Sequence, residues 1–194
     1  MAGNPTNAPV WAEADVLLGA TTAPIPTHPA AYSGAWDFVG LLDDDNPFDA
    51  GAETIDKTDH SAFGYGVYAT TYKNQKEVAT FTALETTLVT LGILYDTTGL
   101  TEPEAGTISG TLARRDPTKQ YMVAFEARSG TTMERRTSKN YAYIDDITRN
   151  MTNGKKTYTV TVVIVPNEDQ ELFDYYKGPQ ADESSSSSSS SSSS

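Results

Sequence analysis

The sequence predicts a mostly β protein, an antiparallel β-sandwich or barrel with one short α-helix. Apolar and polar residues alternate along 62–70 and again along 155–165, as they do in strands that bury one face. Asn153-Gly154, which precedes the second run, is a strong β-hairpin signal. Helical spacing of apolar residues is found in one segment, so we expect about eight strands and a single helix.

Short strands and irregular connections are expected in the first 61 residues. An apolar run predicts a strand over 13–19, and the prolines in 20–29 predict an extended connection. Alternation predicts a second strand over 35–42. Residues 43–61 are rich in Asp, Gly and Ala and show little periodicity. We therefore expect a long irregular loop there, of the kind that is functional or is ordered by a partner.

The strand pattern becomes strong from residue 62. Strands are predicted over 62–70 and 76–83, with a hairpin connection at 73–75. Leucines on one helical face predict a short amphipathic helix at about 85–96. The remaining strands are expected over 107–115, 119–129, 140–147, 155–165 and 171–176.

A single domain is expected to contain most of the chain. Residues 1–9 are small, polar and proline-containing, which predicts an extended N-terminal arm. Residues 10–181 form the predicted β-sandwich, with the loop 43–61 inserted in it. Residues 182–194 are acidic and then all serine, which predicts a disordered C-terminal tail.

The net charge of −12 argues against an open nucleic-acid-binding surface, since phosphate binding requires a basic footprint. The acidic excess lies in residues 1–113, whereas 114–139 is locally basic. Complementary acidic and basic segments on one polypeptide suggest contacts between copies. An unevenly charged, solvated surface is the simpler interpretation of the same pattern.

The residue inventory offers little for catalysis. Absence of cysteine excludes disulfides, thiolate metal sites and a cysteine nucleophile. His28 and His60 lie in no metal-binding spacing, and no phosphate-binding, zinc-protease or nucleophile-elbow motif occurs. An EF-hand that began at Asp43 would need Gly and Glu where Phe48 and Thr54 stand. Paired carboxylates remain an alternative, but no pair stands out. We expect no enzyme activity, no metal and no cofactor.

Membrane insertion and secretion are not expected. No apolar stretch reaches the roughly 18–20 residues that a membrane-spanning helix needs. The first nine residues contain no apolar core of a signal peptide. We therefore expect a soluble protein that no cleaved signal exports.

The aromatic residues allow two interpretations. Core packing is expected where they alternate within strands, at Tyr65, Tyr121, Phe125 and Tyr158. A β-sandwich could instead present aromatic side chains to a glycan, and the acidic loop could bind calcium. A glycan- or calcium-binding module, or a head-decoration protein of a virion, is therefore the alternative function.

The order of segments resembles a known family. A strand enters VLLGATTAPIPT, and AWDFVGLLDDD precedes the long predicted loop. A strand pair then leads into FTALETTLVTLGILYD. Next come the basic segment FEARSGTTMERRTSKNYAYIDDI and a closing segment, YTVTVVIVPNEDQELFDYY. Over roughly residues 10–176 this is similar to the major tail protein, or tail tube protein, of long, flexible-tailed phages (siphoviruses) of actinobacteria.

The resemblance implies a structural virion protein without catalytic residues. Copies of such a β-sandwich form hexameric rings whose sheets join around a central channel, and the rings stack through an extended loop and the terminal arms. Expected partners are the protein itself, a tape measure protein, and tail tip or terminator proteins. Double-stranded DNA would pass through the channel without specific binding, and no membrane partner is expected. The location would be the phage tail, assembled in the host cytoplasm.

Contacts between subunits are the only candidate sites. We expect acidic residues of the loop to meet arginines of a neighbouring copy, and two tyrosines to contribute to the interface. The predicted set is Asp43, Asp44, Asp45, Asp49, Asp59, Arg114, Arg115, Arg135, Arg136, Tyr141 and Tyr143.

Overall fold

A computed structural model describes residues 11–180, apart from 46, 105 and 153. The predicted arm at 1–9 and the predicted tail at 182–194 lie outside the described residues. In chain order the elements are β1 (Glu13–Gly19), β2 (Trp36–Phe38), β3 (Phe48–Ala62), β4 (Gly66–Ala83), α1 (Leu88–Leu94), β5 (Tyr95–Asp96), β6 (Leu100–Glu104), β7 (Thr107–Gly110), β8 (Ala113–Arg114), β9 (Gln120–Ser129), β10 (Thr132–Ser138), β11 (Ala142–Thr152), β12 (Lys155–Ile164) and β13 (Phe173–Pro179).

The strands form two antiparallel layers. The first layer has the order β13-β10-β9-β1-β2, and the second has the order β11-β12-β4-β3. The start of β9 also pairs with β11, through Tyr121↔Ala142 and Gln120↔Tyr143, which joins the layers into one path. Two short pairs, β5-β8 and β6-β7, lie outside it. The predicted fold class is confirmed for the described residues: they are mostly β and sandwich-like, with one short helix and no closed barrel.

The main core lies between the two layers. Strand β12 supplies alternate residues to it, from Tyr158 to Ile164, because successive side chains of a strand point to opposite faces. Phe125 of β9 and Phe81 of β4 are almost completely buried in the same cluster. The core prediction is confirmed for Tyr158 and Phe125, while Tyr121 is half-buried against the cluster.

The outer face of the first layer is covered by the connection between β1 and β2. Ala23 of this connection packs with Trp36, Leu17 and Met122 in a second cluster. The indole Nε1 of Trp36 donates a hydrogen bond to the carbonyl of Pro24 at 2.9 Å. The predicted extended connection at 20–29 is confirmed, since it contains neither helix nor strand. Its role is to bury the face of β9 that the second layer cannot reach.

The single helix is confirmed, but it is shorter than 85–96. Thr87 caps its N-terminus, since its hydroxyl accepts a hydrogen bond from the Thr90 backbone N–H at 3.1 Å. The Thr90 hydroxyl in turn donates to the carbonyl of Val39 at 3.0 Å. Both threonines are therefore used at the start of the helix, and only the seven residues of α1 are helical.

Two predictions about the region 43–83 are wrong. Most of the predicted irregular loop at 43–61 belongs to β3, which pairs with β4 along its length. The predicted turn at 73–75 lies inside the continuous strand β4, and the chain reverses at 63–65 instead. Three register shifts, between Asp49 and Ala52, Thr54 and Asp56, and His60 and Ser61, interrupt the alternation of β3. Because β3 buries no face beyond its base, its sequence also lacks the alternation of apolar and polar residues that predicts a strand.

Tyr32 in the connection between β1 and β2 gives a pH-dependent prediction. Burial raises its pKa to about 12, and its hydroxyl is paired with Thr137 Oγ1 at 2.5 Å. The unfolded chain would release this proton near pH 10. The contribution of the protonated Tyr32 hydroxyl to the free energy of unfolding is therefore complete below pH 10. It is lost as the pH rises to 12, and the free energy of unfolding then falls by at most about 1.4 kcal/mol per pH unit.

Chemical denaturation between pH 9 and pH 11.5 measures this effect. The free energy of unfolding should fall more steeply with pH for the natural chain than for Tyr32→Phe, which lacks the titrating hydroxyl. Parallel pH profiles for the two proteins would contradict the buried position of this phenol.

Candidate assembly interface

A long β-hairpin leaves the body of the protein. Its strands pair from Phe48↔Phe81 at the base to Ala62↔Gly66 at the tip. At about 3.3 Å per residue, the 15 residues of β3 span roughly 45 Å. Residues 52–69 are all exposed, so most of this length packs on nothing within the described chain.

The outer half of the hairpin is uncharged and aromatic. In a chain of net charge −12, the twelve residues 61–72 contain no Asp, Glu, Lys or Arg. Phe63 is fully exposed, and Tyr65, Tyr68 and Tyr72 are 87%, 68% and 65% exposed. The core prediction for Tyr65 is therefore wrong. Monomeric soluble proteins rarely expose such a contiguous apolar patch, and when they do it commonly marks an interaction site. We call residues 61–72 the hairpin tip.

Glycine shapes the turn at this tip. Gly64 and Gly66 have φ values of +84° and +67°, a conformation that other residues rarely adopt. No atom lies within 4 Å of where a Cβ would stand at either position, so the turn is open on all sides. The backbone N–H of Tyr65 donates to the carbonyl of Ala62 at 3.1 Å. The turn thus holds Phe63 and Tyr65 away from the rest of the chain.

Charges on the shank of the hairpin are of both signs. Asp59 accepts a hydrogen bond from Thr70 Oγ1 at 2.7 Å and lies 3.7 Å from Lys57 Nζ. Asp56 lies opposite Lys73 in the pairing of the strands. The acidic surface expected of this segment is therefore offset by lysines.

The aspartates before the hairpin lie near its base. Asp43 pairs with Lys155 Nζ at 2.6 Å, and this hydrogen bond lowers the pKa of the Asp43 carboxyl. Asp43 and Asp44 line a cleft of about 530 Å³ with Glu13, Asp15 and Glu85 among its other residues. Exposed positions are also found for Asp45 and for Asp49 at the start of β3. The predicted acidic residues are therefore dispersed: Asp43 and Asp44 line this cleft, Asp49 and Asp59 lie on the hairpin, and Asp45 lies between them in the chain.

Arg135 is not on the surface. Its side chain is 2% exposed and contacts Glu126, itself almost completely buried, at 2.7 Å. Its Nη1 also donates to the carbonyl of Ala30 at 2.8 Å, and the guanidinium lies over the ring of Tyr32. Arg135 is therefore removed from the predicted contact set, because a neighbouring copy cannot reach it.

Glu126 also joins Arg128, which extends the buried pair into a network. Arg128 Nε lies 2.7 Å from Glu126, and its other nitrogens contact Asp15 and Glu13. Burial raises the pKa of the Asp15 carboxyl, although Arg128 acts against this shift. These contacts tie β1, β9 and β10 together, and they give two bases of the segment 114–139 partners within the same chain.

The other predicted contact residues are dispersed. Arg136 Nη2 pairs with Glu134 at 3.3 Å, and Arg115 Nη1 donates to the carbonyl of Ile144 at 3.5 Å. Arg114 is exposed in β8. Tyr141 and Tyr143 are half-buried: Tyr141 directly precedes β11, and Tyr143 is its second residue. The structure therefore does not bring the predicted arginines together into one basic surface.

The exposed apolar tip was not predicted as a candidate contact surface, although the sequence contains a signal. A run of twelve uncharged residues with alternating aromatics is unusual in so acidic a chain. The core prediction for Tyr65 fails because alternation alone cannot distinguish a buried face from an exposed one.

Neither a metal-binding cluster nor a membrane-spanning helix is found among the described residues. Within residues 11–180, gaps aside, no three His, Cys, Asp or Glu side chains are grouped so that they could hold a metal ion. Across the same described stretch, no helix has the length and apolarity required to span a bilayer.

Comparison with known proteins leaves the family open. Neither a protein-family model nor a curated protein matches the chain.

The buried pair Arg135–Glu126 gives a prediction for stability. Arg135→Met should lower the free energy of unfolding by about 3 kcal/mol, because Glu126 stays buried with a partner lost. Arg136→Met at the adjacent, partly exposed position should cost about 1 kcal/mol or less. Urea denaturation measures both, and an equal loss for the two variants would contradict the buried position of Arg135.

Proposed function

We propose that the protein is the tail tube subunit of a long-tailed phage, a structural protein that assembles with copies of itself. The observation that carries this proposal is the projecting hairpin with an uncharged, aromatic tip. Apolar side chains at the far end of a hairpin about 45 Å long gain burial only from another molecule. A self-assembling subunit provides that molecule at every copy.

The sheet edges support the same proposal. Strands β13 and β3 lie at the two ends of the strand path, and within the described residues each pairs along one edge only. Unpaired N–H and C=O groups at a sheet edge are ready to pair with another strand. Pairing of β3 of one copy with β13 of the next would join the sheets of adjacent subunits into a ring. The hexameric number of the ring comes from the resemblance.

Stacking of the rings would then use the hairpins. A contact between two different surfaces of identical subunits can be repeated from copy to copy. It gives a closed ring if the rotation between copies adds up to a full turn, and an open-ended filament if it does not. A tube formed in this way would let genomic DNA pass through its channel. The acidic net charge fits that role, because like charge discourages phosphates from binding the wall.

The mode of assembly proposed here differs from the one that the charges predict. Arg128 and Arg135 are engaged in the buried network, and Lys139 pairs with Glu171 at 2.7 Å. Charge pairs of this kind lie within one chain and contribute nothing to a neighbour. Apolar contacts at the hairpin tip and strand pairing at the edges are therefore the proposed basis of assembly.

Other partners follow from the tail tube proposal alone. A tape measure protein would lie in the growing tube, and tip and terminator proteins would bind its two ends. The location would be the virion.

A glycan-binding module is the second candidate, and the exposed aromatic rings of Tyr65 and Tyr68 favour it. Such rings stack on sugars as readily as they pack on protein. The two functions differ in their concentration dependence, since a monomeric binding module does not associate with itself as its concentration rises.

Electron microscopy of the purified protein over a concentration series tests the proposal. Rings, stacked rings or hollow tubes are expected for the natural chain. The triple variant Phe63→Ser, Tyr65→Ser and Tyr68→Ser should stay monomeric, because it removes the apolar tip. Its free energy of unfolding should change little, since surface substitutions usually cost no more than about 0.5 kcal/mol each.

A matched control distinguishes the tip from exposed apolar surface in general. Leu112→Ser and Met151→Ser remove exposed apolar side chains outside the hairpin, and this double variant should assemble like the natural chain. Strictly monomeric natural protein at all concentrations, with retained glycan binding, would support the second candidate instead.

A further inference from the structure

A narrow apolar groove opens between the two layers at the base of the hairpin. Phe48 of β3 and Phe125 of β9 form its floor, with ring centroids 5.3 Å apart. The groove has a volume of about 240 Å³, room for one aromatic side chain rather than for a secondary-structure element. Its remaining lining residues are Trp11, Ala14, Pro47, Ala127, Glu134 and Arg136.

The charged side chains at the rim of this groove already have partners. Glu134 pairs with Arg136 at 3.3 Å and lies 4.0 Å from Lys177 Nζ. An entering charged group would lose its hydration without gaining a free counter-charge, which is costly. An uncharged, apolar side chain has no such penalty and gains burial against the two phenylalanine rings.

Phe63 at the hairpin tip has the complementary properties. It is fully exposed, it has no polar atom that would need a hydrogen bond, and its neighbour Gly64 leaves open space beside it. The residues on either side are uncharged as well. A ring presented in this way can enter a cleft without bringing bulk or charge to the rim.

The tip cannot reach the groove of its own chain. The groove includes Phe48, the first residue of β3, while Phe63 lies just beyond the other end of that strand. The two ends are separated by roughly 45 Å of extended chain. Any insertion of Phe63 into such a groove therefore joins two copies.

We propose that Phe63 of one copy inserts into the groove between Phe48 and Phe125 of a second copy of this chain. The contact is head-to-tail, so each copy offers one tip and one groove, and repetition gives an open-ended series. The proposal rests on the proposed self-assembly and specifies its contact surface. The spacing of successive copies along the series is then no more than about 45 Å, the length of the hairpin.

The absence of native cysteine allows a direct cross-linking test. Ala62→Cys places a thiol at the tip beside the intact Phe63 ring, and Ala127→Cys places one on the wall of the groove. These thiols can form a disulfide only if the two Cα atoms come within about 7 Å. The double variant Ala62→Cys/Ala127→Cys, under mild oxidation at a concentration at which the natural chain assembles, should give a ladder of covalent oligomers.

Two controls define the contact. A mixture of the two single variants should give disulfide-linked heterodimers and no higher bands, since each pair then shares one tip and one groove. A control pair, Ala62→Cys with Ser109→Cys on β7, keeps the tip thiol and moves the other to an exposed site outside the groove. Cross-linking of the groove pair should exceed that of the control pair at least about tenfold, because held thiols have a high effective concentration.

The outcomes separate this inference from the proposed function. Rings or tubes in the electron microscope without a groove-specific ladder would overturn the tip-in-groove contact and leave self-assembly in place. Absence of oligomers for the natural chain, together with absence of cross-links for the cysteine variants, would overturn the contact and the tail tube proposal together. A ladder of equal strength from the control pair would show random collision and would also overturn the contact.

Discussion

A two-stranded ribbon has two faces and no second layer to cover either of them. This constraint governs the β3–β4 hairpin, in which only the base, near Phe48 and Phe81, joins the core. Isolated hairpins are marginally stable in water, because strand pairing alone hardly offsets the entropy of ordering the chain. A hairpin that also exposes Phe63, Tyr65 and Tyr68 would therefore be stabilised if another molecule buried these side chains, and the proposed interface follows from that gain in free energy.

The free energy gained by burying these side chains indicates how assembly would work. Full burial of one aromatic side chain contributes about 1.5–3 kcal/mol. Association of two proteins costs at least several kcal/mol of translational and rotational freedom. One inserted tip is thus too weak to hold two monomers together. A ring of subunits would insert several tips at once, and the linked contacts would share a single loss of freedom. Strand pairing within rings and tip insertion between rings would then support each other.

The body of the protein supplies rigidity to this arrangement. β9 has β1 on one edge and β10 on the other, its first residues pair with β11, and both of its faces are covered. The buried contact of Glu126 with Arg135 joins β9 to β10, and the contacts of Arg128 with Asp15 and Glu13 join β9 to β1.

Much of the fold was predictable because most strands bury one face. The alternation of apolar and polar residues in β12 and the apolar run 16–18 in β1 both predicted strands that the structure contains. β3 was not predictable in this way, since it buries almost nothing beyond its base and three register shifts disturb its period. Of the candidate site, the segment around 43–61 stands out in the sequence by its charges, whereas the exposed apolar tip beside it was not predicted. Arg135 was misplaced because arginine is rarely buried, and only the three-dimensional pairing with Glu126 reveals why it is buried here.

Amide hydrogen exchange of the hairpin tip, compared between dilute monomer and assembled particles, is the most direct measurement of the central claim. Backbone amides of residues 61–72 should exchange rapidly in the monomer, since nothing packs on them, and should become strongly protected after assembly. The buried strand β12 should be protected in both states and serves as the internal reference. Equal exchange of the tip in monomer and assembled particle would contradict the claim that this segment holds the copies together.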